Sequence, residues 1–190
     1  MDILDLLKGQ LPDEALEKLA GSVGASPDQA REVTAMGIPI LMEAMQRNAS
    51  SPDGARALAG ALDQHSKDVP VDPRSFLDGV DTADGAKILS HVLGVRKDQA
   101  ENRLAGQAGL SSGQVDGMLS SLAPMLLGLL GQKKAGDNRE EGIPGLLGSL
   151  MEQSGGGDLK KIAAGFLDAD GDGNIMDDVG NLLGGFLKRK

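Results

Sequence analysis

The chain has 190 residues and a formal net charge of −9, and it contains no Cys, Trp or Tyr. The acidic balance argues against a nucleic-acid partner, because binding phosphates requires a basic surface. The lack of Cys excludes disulfides and thiolate chemistry, and a core drawn from Leu, Ala, Ile, Val and Met favours an all-α fold.

Residues 19–48 and 104–133 align without a gap at an offset of 85, which predicts a duplicated multi-helical domain. Each copy places Ser-x-x-Gln ahead of an apolar run with helical spacing, from Ser26 to Gln29 and from Ser111 to Gln114. In a capping box, the Ser side chain accepts the amide of the Gln, and the Gln side chain reaches back to the Ser amide. Both copies are therefore predicted to begin a long helix at this point.

Glycine and proline predict where these helices end or bend. Gly21 and Gly106 are expected to end the short helices that precede the two capping boxes. Pro39 and Pro124 occupy the same phase of the two copies, and each removes one backbone hydrogen bond. Each long helix should therefore kink or restart near its proline.

Composition divides the chain into five predicted segments. A first helical repeat covers 1–62, a loop linker with a possible short turn near Ser75–Leu77 covers 63–84, and a second helical repeat covers 85–132. A Gly-rich linker covers 133–157 and leads to a final helix–loop–helix module at 158–190.

The final module contains the pattern with the most specific chemistry, an alternation of Asp before Gly173. Calcium prefers six to eight oxygen ligands, which alternating carboxylates on a tight turn supply. The pattern predicts an EF-hand-like loop from Asp168 to Val179, flanked by apolar helical faces. The predicted calcium ligands are Asp168, Asp170, Asp172, Asn174 and Asp178.

The loop departs from the EF-hand pattern at its twelfth position, where Val179 replaces the usual Glu. Either Asp177 or Asp178 would have to close the site, and an early start of the exiting helix favours Asp178. The calcium affinity is expected to be lower than that of a sensor EF-hand. The alternatives are a magnesium site or an acidic turn that binds no ion.

The sequence offers no constellation for catalysis. His65 and His91 are the two histidines, and neither is paired with a nucleophile by a recognisable motif. His65 with Asp63, Asp68 and Asp72 would be a poorly spaced metal cluster, so a solvated loop is the preferred interpretation. No apolar run is long enough to span a bilayer and the first residues lack a secretory signal. A non-enzymatic, cytoplasmic protein with no membrane association is expected.

Three features together resemble the bacterial domain of unknown function 937, a family related to YidB-like proteins. They are the Leu-Ala-Gly…Ser-x-x-Gln…Pro pattern, the turn from Arg47 to Gly54, and the late Asp-x-Asp-Gly-Asp-Gly loop. The resemblance implies a bacterial, all-helical protein without an established activity. The leading functional hypothesis is a calcium-binding helical interaction module that docks an unknown protein partner. The alternative is a structural, self-associating helical protein in which the metal is a static clip.

Overall fold

A computed structural model describes residues 3–8, 10–67, 72–136 and 142–154. Within these ranges the chain is all-α and contains no strand, which confirms the all-α part of the predicted fold class. The helices are α1 (Ile3–Leu7), α2 (Asp13–Val23), α3 (Pro27–Asn48), α4 (Pro52–His65), α5 (Pro73–Gly79), α6 (Thr82–Leu93), α7 (Lys97–Ala108), α8 (Ser112–Ala135) and α9 (Gly142–Gln153). A 3₁₀ turn, Gly94–Arg96, joins α6 to α7.

Helices α3 and α8 form the centre of the fold. Every residue of α8 from Met118 to Gly131 is buried, as expected for a helix surrounded by other helices. Helix α8 packs against α1, α2, α3, α4, α6 and α7, and its most extensive contact is with α6. Helix α3 packs against α8 and the same neighbours, and it also contacts α9.

Both predicted capping boxes are present. The amide of Gln29 donates to Ser26 Oγ (3.3 Å) and the amide of Ser26 donates to Gln29 Oε1 (2.9 Å). The same pair of bonds joins Ser111 and Gln114 at 3.3 and 3.0 Å. Local sequence chemistry therefore sets the start of both central helices.

The prediction that Gly21 and Gly106 end the preceding helices is wrong by one turn. Helix α2 is capped by Gly24 (φ 69°) and α7 by Gly109 (φ 64°), and both glycines adopt the left-handed conformation that favours Gly. Gly21 lies inside a helix on its exposed side. The helices end instead at the glycine two residues before the next Ser cap, where the chain must leave the helix with a positive φ.

Each capping Gln also joins its helix to the other half of the fold. Gln29 Nε2 donates to the carbonyls of Ala108 (3.1 Å) and Gly109 (3.2 Å) at the end of α7. Gln114 Nε2 donates to the two equivalent carbonyls at the end of α2, at 3.1 and 3.4 Å. These reciprocal bonds satisfy carbonyls that a helix end leaves without an internal partner.

Of the predicted kink or restart at each proline, the structure excludes the restart, and the expected linkers also differ from the structure. Helices α3 and α8 continue through Pro39 and Pro124, so neither helix restarts there. Both prolines are buried, and packing on the surrounding helices offsets the one lost backbone bond. The segments expected as linkers also contain helices, α5 within 63–84 and α9 within 133–157. Both bury apolar side chains against the core, among them Phe76 and Leu147.

Candidate functional site

The five predicted calcium ligands, Asp168, Asp170, Asp172, Asn174 and Asp178, lie outside the described residues, so the calcium site remains a prediction. Within the described ranges no cluster of three or more His, Asp or Glu side chains has an arrangement that would hold a metal ion. The described helices do form a different candidate site, a groove between α4 and α6.

The two helices that flank this groove run antiparallel. The end of α4 meets the start of α6, where His65 Nε2 lies 3.5 Å from Asp84 Oδ2. The end of α3, just before α4 begins, meets the end of α6, where Asn48 Nδ2 donates to the carbonyls of His91 (3.4 Å) and Val92 (3.0 Å). Polar contacts therefore hold the groove at both ends while its middle stays open.

The α4–α6 groove encloses a cavity of about 410 Å³. Its apolar surface comes from α3, α4, α6 and α8, through Met45, Leu58, Ile88, Val92 and Leu127. The small side chains of Ala57 and Ala61 line the α4 wall and leave the space unfilled. Gly54 also lines the groove, but a Cβ atom there would overlap the carbonyl of Asn48, so this glycine allows the close turn between α3 and α4. Lys87 and His91 stand one turn apart on the α6 wall.

His65 and Asp84 also line a second cavity, of about 610 Å³, which extends toward α5. Ser75 lines this second cavity, and a Ser, a His and an Asp together invite comparison with a hydrolytic triad. The Ser75 hydroxyl, however, donates to Asp72 Oδ2 (2.8 Å), whose carboxylate also caps α5 through the Ser75 amide. The geometry therefore assigns Ser75 to helix capping, and His65 has its ion-pair contact with Asp84 instead.

Near the end of α3, Arg47 is half-buried. Arg47 Nε and Nη1 are buried without a hydrogen-bond partner in the part of the chain that the structure describes. The nearest carboxylate oxygen in an ion pair, Glu43 Oε1, is 4.0 Å from Nε. Burial lowers the pKa of Arg47, and the neighbouring positive charge of Arg96 lowers it further.

A separate cluster of charges, Lys97, Glu101 and Asp116, joins α7 to α8. Lys97 Nζ donates to Asp116 Oδ1 (2.5 Å) and lies 2.8 Å from Glu101 Oε1, although the latter contact lacks hydrogen-bond geometry. Burial raises the pKa of Glu101; Lys97 opposes this change and Asp116 reinforces it. Burial acts to lower the pKa of Lys97, but the two carboxylates outweigh it and leave this pKa above its ordinary value.

We expect Glu101→Gln to remove a pH dependence of stability. Because its pKa is raised in the folded state, the folded protein keeps a proton on Glu101 that the unfolded chain has released. The free energy of unfolding should therefore fall as the pH rises from the ordinary value of 4.5 through the raised pKa. Urea unfolding at a series of pH values should show this fall in the wild type and a flatter profile in Glu101→Gln. The exposed Glu17→Gln is the control, and an unchanged slope in Glu101→Gln contradicts the prediction.

The described part of the protein is all-helical, and two similarly capped helix pairs, α2–α3 and α7–α8, contribute to one core. The chain belongs to the bacterial family of proteins of unknown function DUF937, whose model matches residues 5–133. No curated protein and no solved structure shows a significant match. None of the described helices is both long enough and apolar enough to cross a membrane.

The capping residues were predictable from the sequence, but the α4–α6 groove was not. The sequence feature that relates the two flanking helices is their similar start, Asp53-Gly-Ala and Asp84-Gly-Ala. What the sequence did not indicate was that the two helices lie side by side, because the Asn48 and His65 contacts that align them join residues far apart in the chain.

Proposed function

We propose that this protein is a non-catalytic, calcium-binding helical interaction module. The observation that carries the proposal is the spacing of Asp168, Asp170 and Asp172 immediately before Gly173. Three alternating carboxylates supply hard oxygen ligands, and glycine permits the sharp turn that follows them. Asn174 would add its backbone carbonyl, and Asp178 would close the site in place of the usual Glu.

The distribution of charge supports a bound cation. Five carboxylates lie between Asp168 and Asp178, and removing them from the formal charge of −9 would leave −4. Such a concentration of like charges disfavours a compact fold unless a cation compensates it. In the proposed module, calcium would order the segment 158–190 so that its apolar residues form a docking surface for a partner protein.

The same proposal includes a duplicated scaffold. Two helix pairs separated by 85 residues share a Ser–Gln capping box at the start of the long helix and a positive-φ glycine before it. The reciprocal Gln bonds support duplication, because each copy uses the equivalent side chain to reach the equivalent carbonyls of the other. A duplicated scaffold of this kind provides rigid helical faces on which a regulated segment can dock.

Calcium titration into chelator-treated protein tests the proposal. At a free calcium concentration of 100 times the Kd, linkage should stabilise the folded protein by about 2.7 kcal/mol. This corresponds to a rise in Tm of about 5–10 °C for a chain of this size. Calorimetry should show binding heat, and the double variant Asp168→Ala/Asp172→Ala should lose both signals.

The matched control is Glu17→Ala/Glu32→Ala, which removes two exposed carboxylates from the surface of α2 and α3 and should keep the calcium response. Absence of binding heat and of any thermal shift at millimolar calcium would refute the calcium site. Analytical ultracentrifugation with and without calcium tests the role as a module. An oligomer that forms equally in EDTA would favour the self-associating structural alternative.

A further inference from the structure

We propose that the α4–α6 groove is a binding site for an anionic amphiphile with a single hydrocarbon chain, such as a medium-chain fatty acid. The groove is formed entirely by helices within the described residues, so the inference is independent of the calcium site. It rests on the shape, the apolar floor and the charge of the groove.

The shape suits a narrow, extended ligand. The groove-facing stripe of α4 runs from Gly54 to His65, a length of about 16 Å at the rise of an α-helix. Ala57 and Ala61 keep this wall thin in the middle of that length. The cavity of about 410 Å³ is therefore long relative to its width, as an alkyl chain requires.

The floor offers a surface that can remove methylene groups from water. Met45 and Leu127 are almost completely buried at the base of the groove, so accessible apolar surface comes from Leu58 on α4 and Val92 on α6. Ile88 on the α6 wall is only partly buried and packs against the same core. An alkyl chain lying on these side chains would gain the transfer free energy of each methylene that it buries.

The charge of the groove selects an anionic head group. Lys87 is exposed on the α6 wall and forms no ion pair with a described residue, and His91 lies one turn further along the same wall. The carboxylate that lines the groove, Asp84, is already in contact with His65. In a chain with a formal charge of −9, this groove therefore presents an available cation beside an apolar floor.

A series of saturated fatty acids tests the apolar part of the proposal. Hexanoate, octanoate, decanoate and dodecanoate would be titrated into the full chain by calorimetry, below their critical micelle concentrations. Affinity should rise by about twofold for each added methylene, roughly half the effect of complete burial, because the groove is open on one side. The rise should continue through the whole series, because even an extended dodecanoate chain is shorter than the groove. No binding of dodecanoate at millimolar concentration, or a series with no dependence on chain length, would overturn the proposal.

Two variants locate the ligand. Ala61→Leu fills the groove from the α4 wall and should weaken dodecanoate binding by more than about tenfold, since several methylenes lose their contact with the floor. Gly60→Leu adds the same side chain at the next position, which is exposed and has open space around it, and should bind like the wild type. Equal affinity in Ala61→Leu and wild type places the ligand elsewhere and refutes the assignment.

The charge is tested separately by Lys87→Gln, an exposed substitution that leaves the core intact. It should weaken dodecanoate by about two- to fivefold, the range for an exposed ion pair, and it should leave the affinity for dodecanol unchanged. Lys133→Gln, at the exposed end of α8, is the control. If Lys87→Gln and Lys133→Gln lower the affinity for dodecanoate equally, the proposed selectivity for an anionic head group is wrong. If an amphipathic helical peptide displaces dodecanoate while the fatty-acid series shows no dependence on length, the groove is a protein-docking site instead.

Discussion

Replacing Gly85 with Ala should lower the free energy of unfolding by about 2–3 kcal/mol, the range for overpacking a well-packed core. A Cβ atom at Gly85 would overlap the carbonyl group of Ser120, whose carbon would lie 2.6 Å from the added atom. The Cβ atom would be fixed to the backbone of α6 and the carbonyl belongs to the backbone of α8. The overlap can therefore be relieved only by shifting α6 away from α8. The gain of about 1 kcal/mol in helix propensity from Gly to Ala is too small to offset this.

Gly60→Ala is the matched control, because it makes the same change inside a helix where nothing lies within 4 Å of the added atom. It should stabilise the protein by up to about 1 kcal/mol. Urea unfolding followed by circular dichroism measures both variants. If Gly85→Ala is as stable as Gly60→Ala, the close approach of α6 and α8 is not a feature of the folded protein.

The Gly85 contact also matters for the candidate site. Helix α6 carries one wall of the α4–α6 groove, and its most extensive packing is on α8. On the other side, Gly131 of α8 lies against the carbonyl of Leu62 in α4. Two glycines therefore set the positions of both groove walls on the same central helix. A change at either position should alter the width of the groove as well as the stability of the fold.

Features that depend on local chemistry were predictable from the sequence. Ser26 and Ser111 begin helices because a Gln three residues later completes a capping box, and both partners are close in the chain. The all-α class followed from helical periodicity and from a residue composition that is poor in aromatic side chains. These predictions needed no knowledge of which helices are neighbours.

Features that depend on tertiary packing were not predictable. Pro39 and Pro124 do not interrupt their helices, because the surrounding core holds both helices in place. Helix α9 forms within a Gly-rich segment because Leu146, Leu147 and Leu150 bury their side chains against the core. The burial of Glu101 beside Lys97 follows only from the approach of α8.

The Gln bonds between the helix pairs combine both kinds of information. Gln29 was predicted as a capping residue, and it is one, but its Nε2 group has a second role that the sequence did not indicate. The Gln29 side chain thus accepts from an amide at the N-terminus of its own helix and donates to a carbonyl at the C-terminus of a helix 79 residues away. The two roles use different atoms, so a single substitution can separate them.

We expect the double variant Gln29→Glu/Gln114→Glu to lower the free energy of unfolding by about 2–4 kcal/mol. Glu at this position keeps the capping box and favours a helix N-terminus. It cannot donate a hydrogen bond, however, and its carboxylate would face the terminal carbonyls of α7 or α2. Each variant therefore loses donors worth about 1 kcal/mol apiece. At each site one half-buried carbonyl and one exposed carbonyl lose this partner.

Urea unfolding of the two single variants and of the double variant measures this effect. If the Gln side chains served only as caps, Glu would be neutral or stabilising, and the prediction would fail. Glu32→Gln, an exposed change on the same helix, provides a control for altered charge. Lowering the pH protonates the introduced carboxyls, which restores a donor and removes the repulsion, so part of the lost stability should return in acid. Recovery at low pH assigns the loss to the bonds that connect the two halves of the fold, since a capping defect would grow worse once the helix N-terminus lost its negative charge.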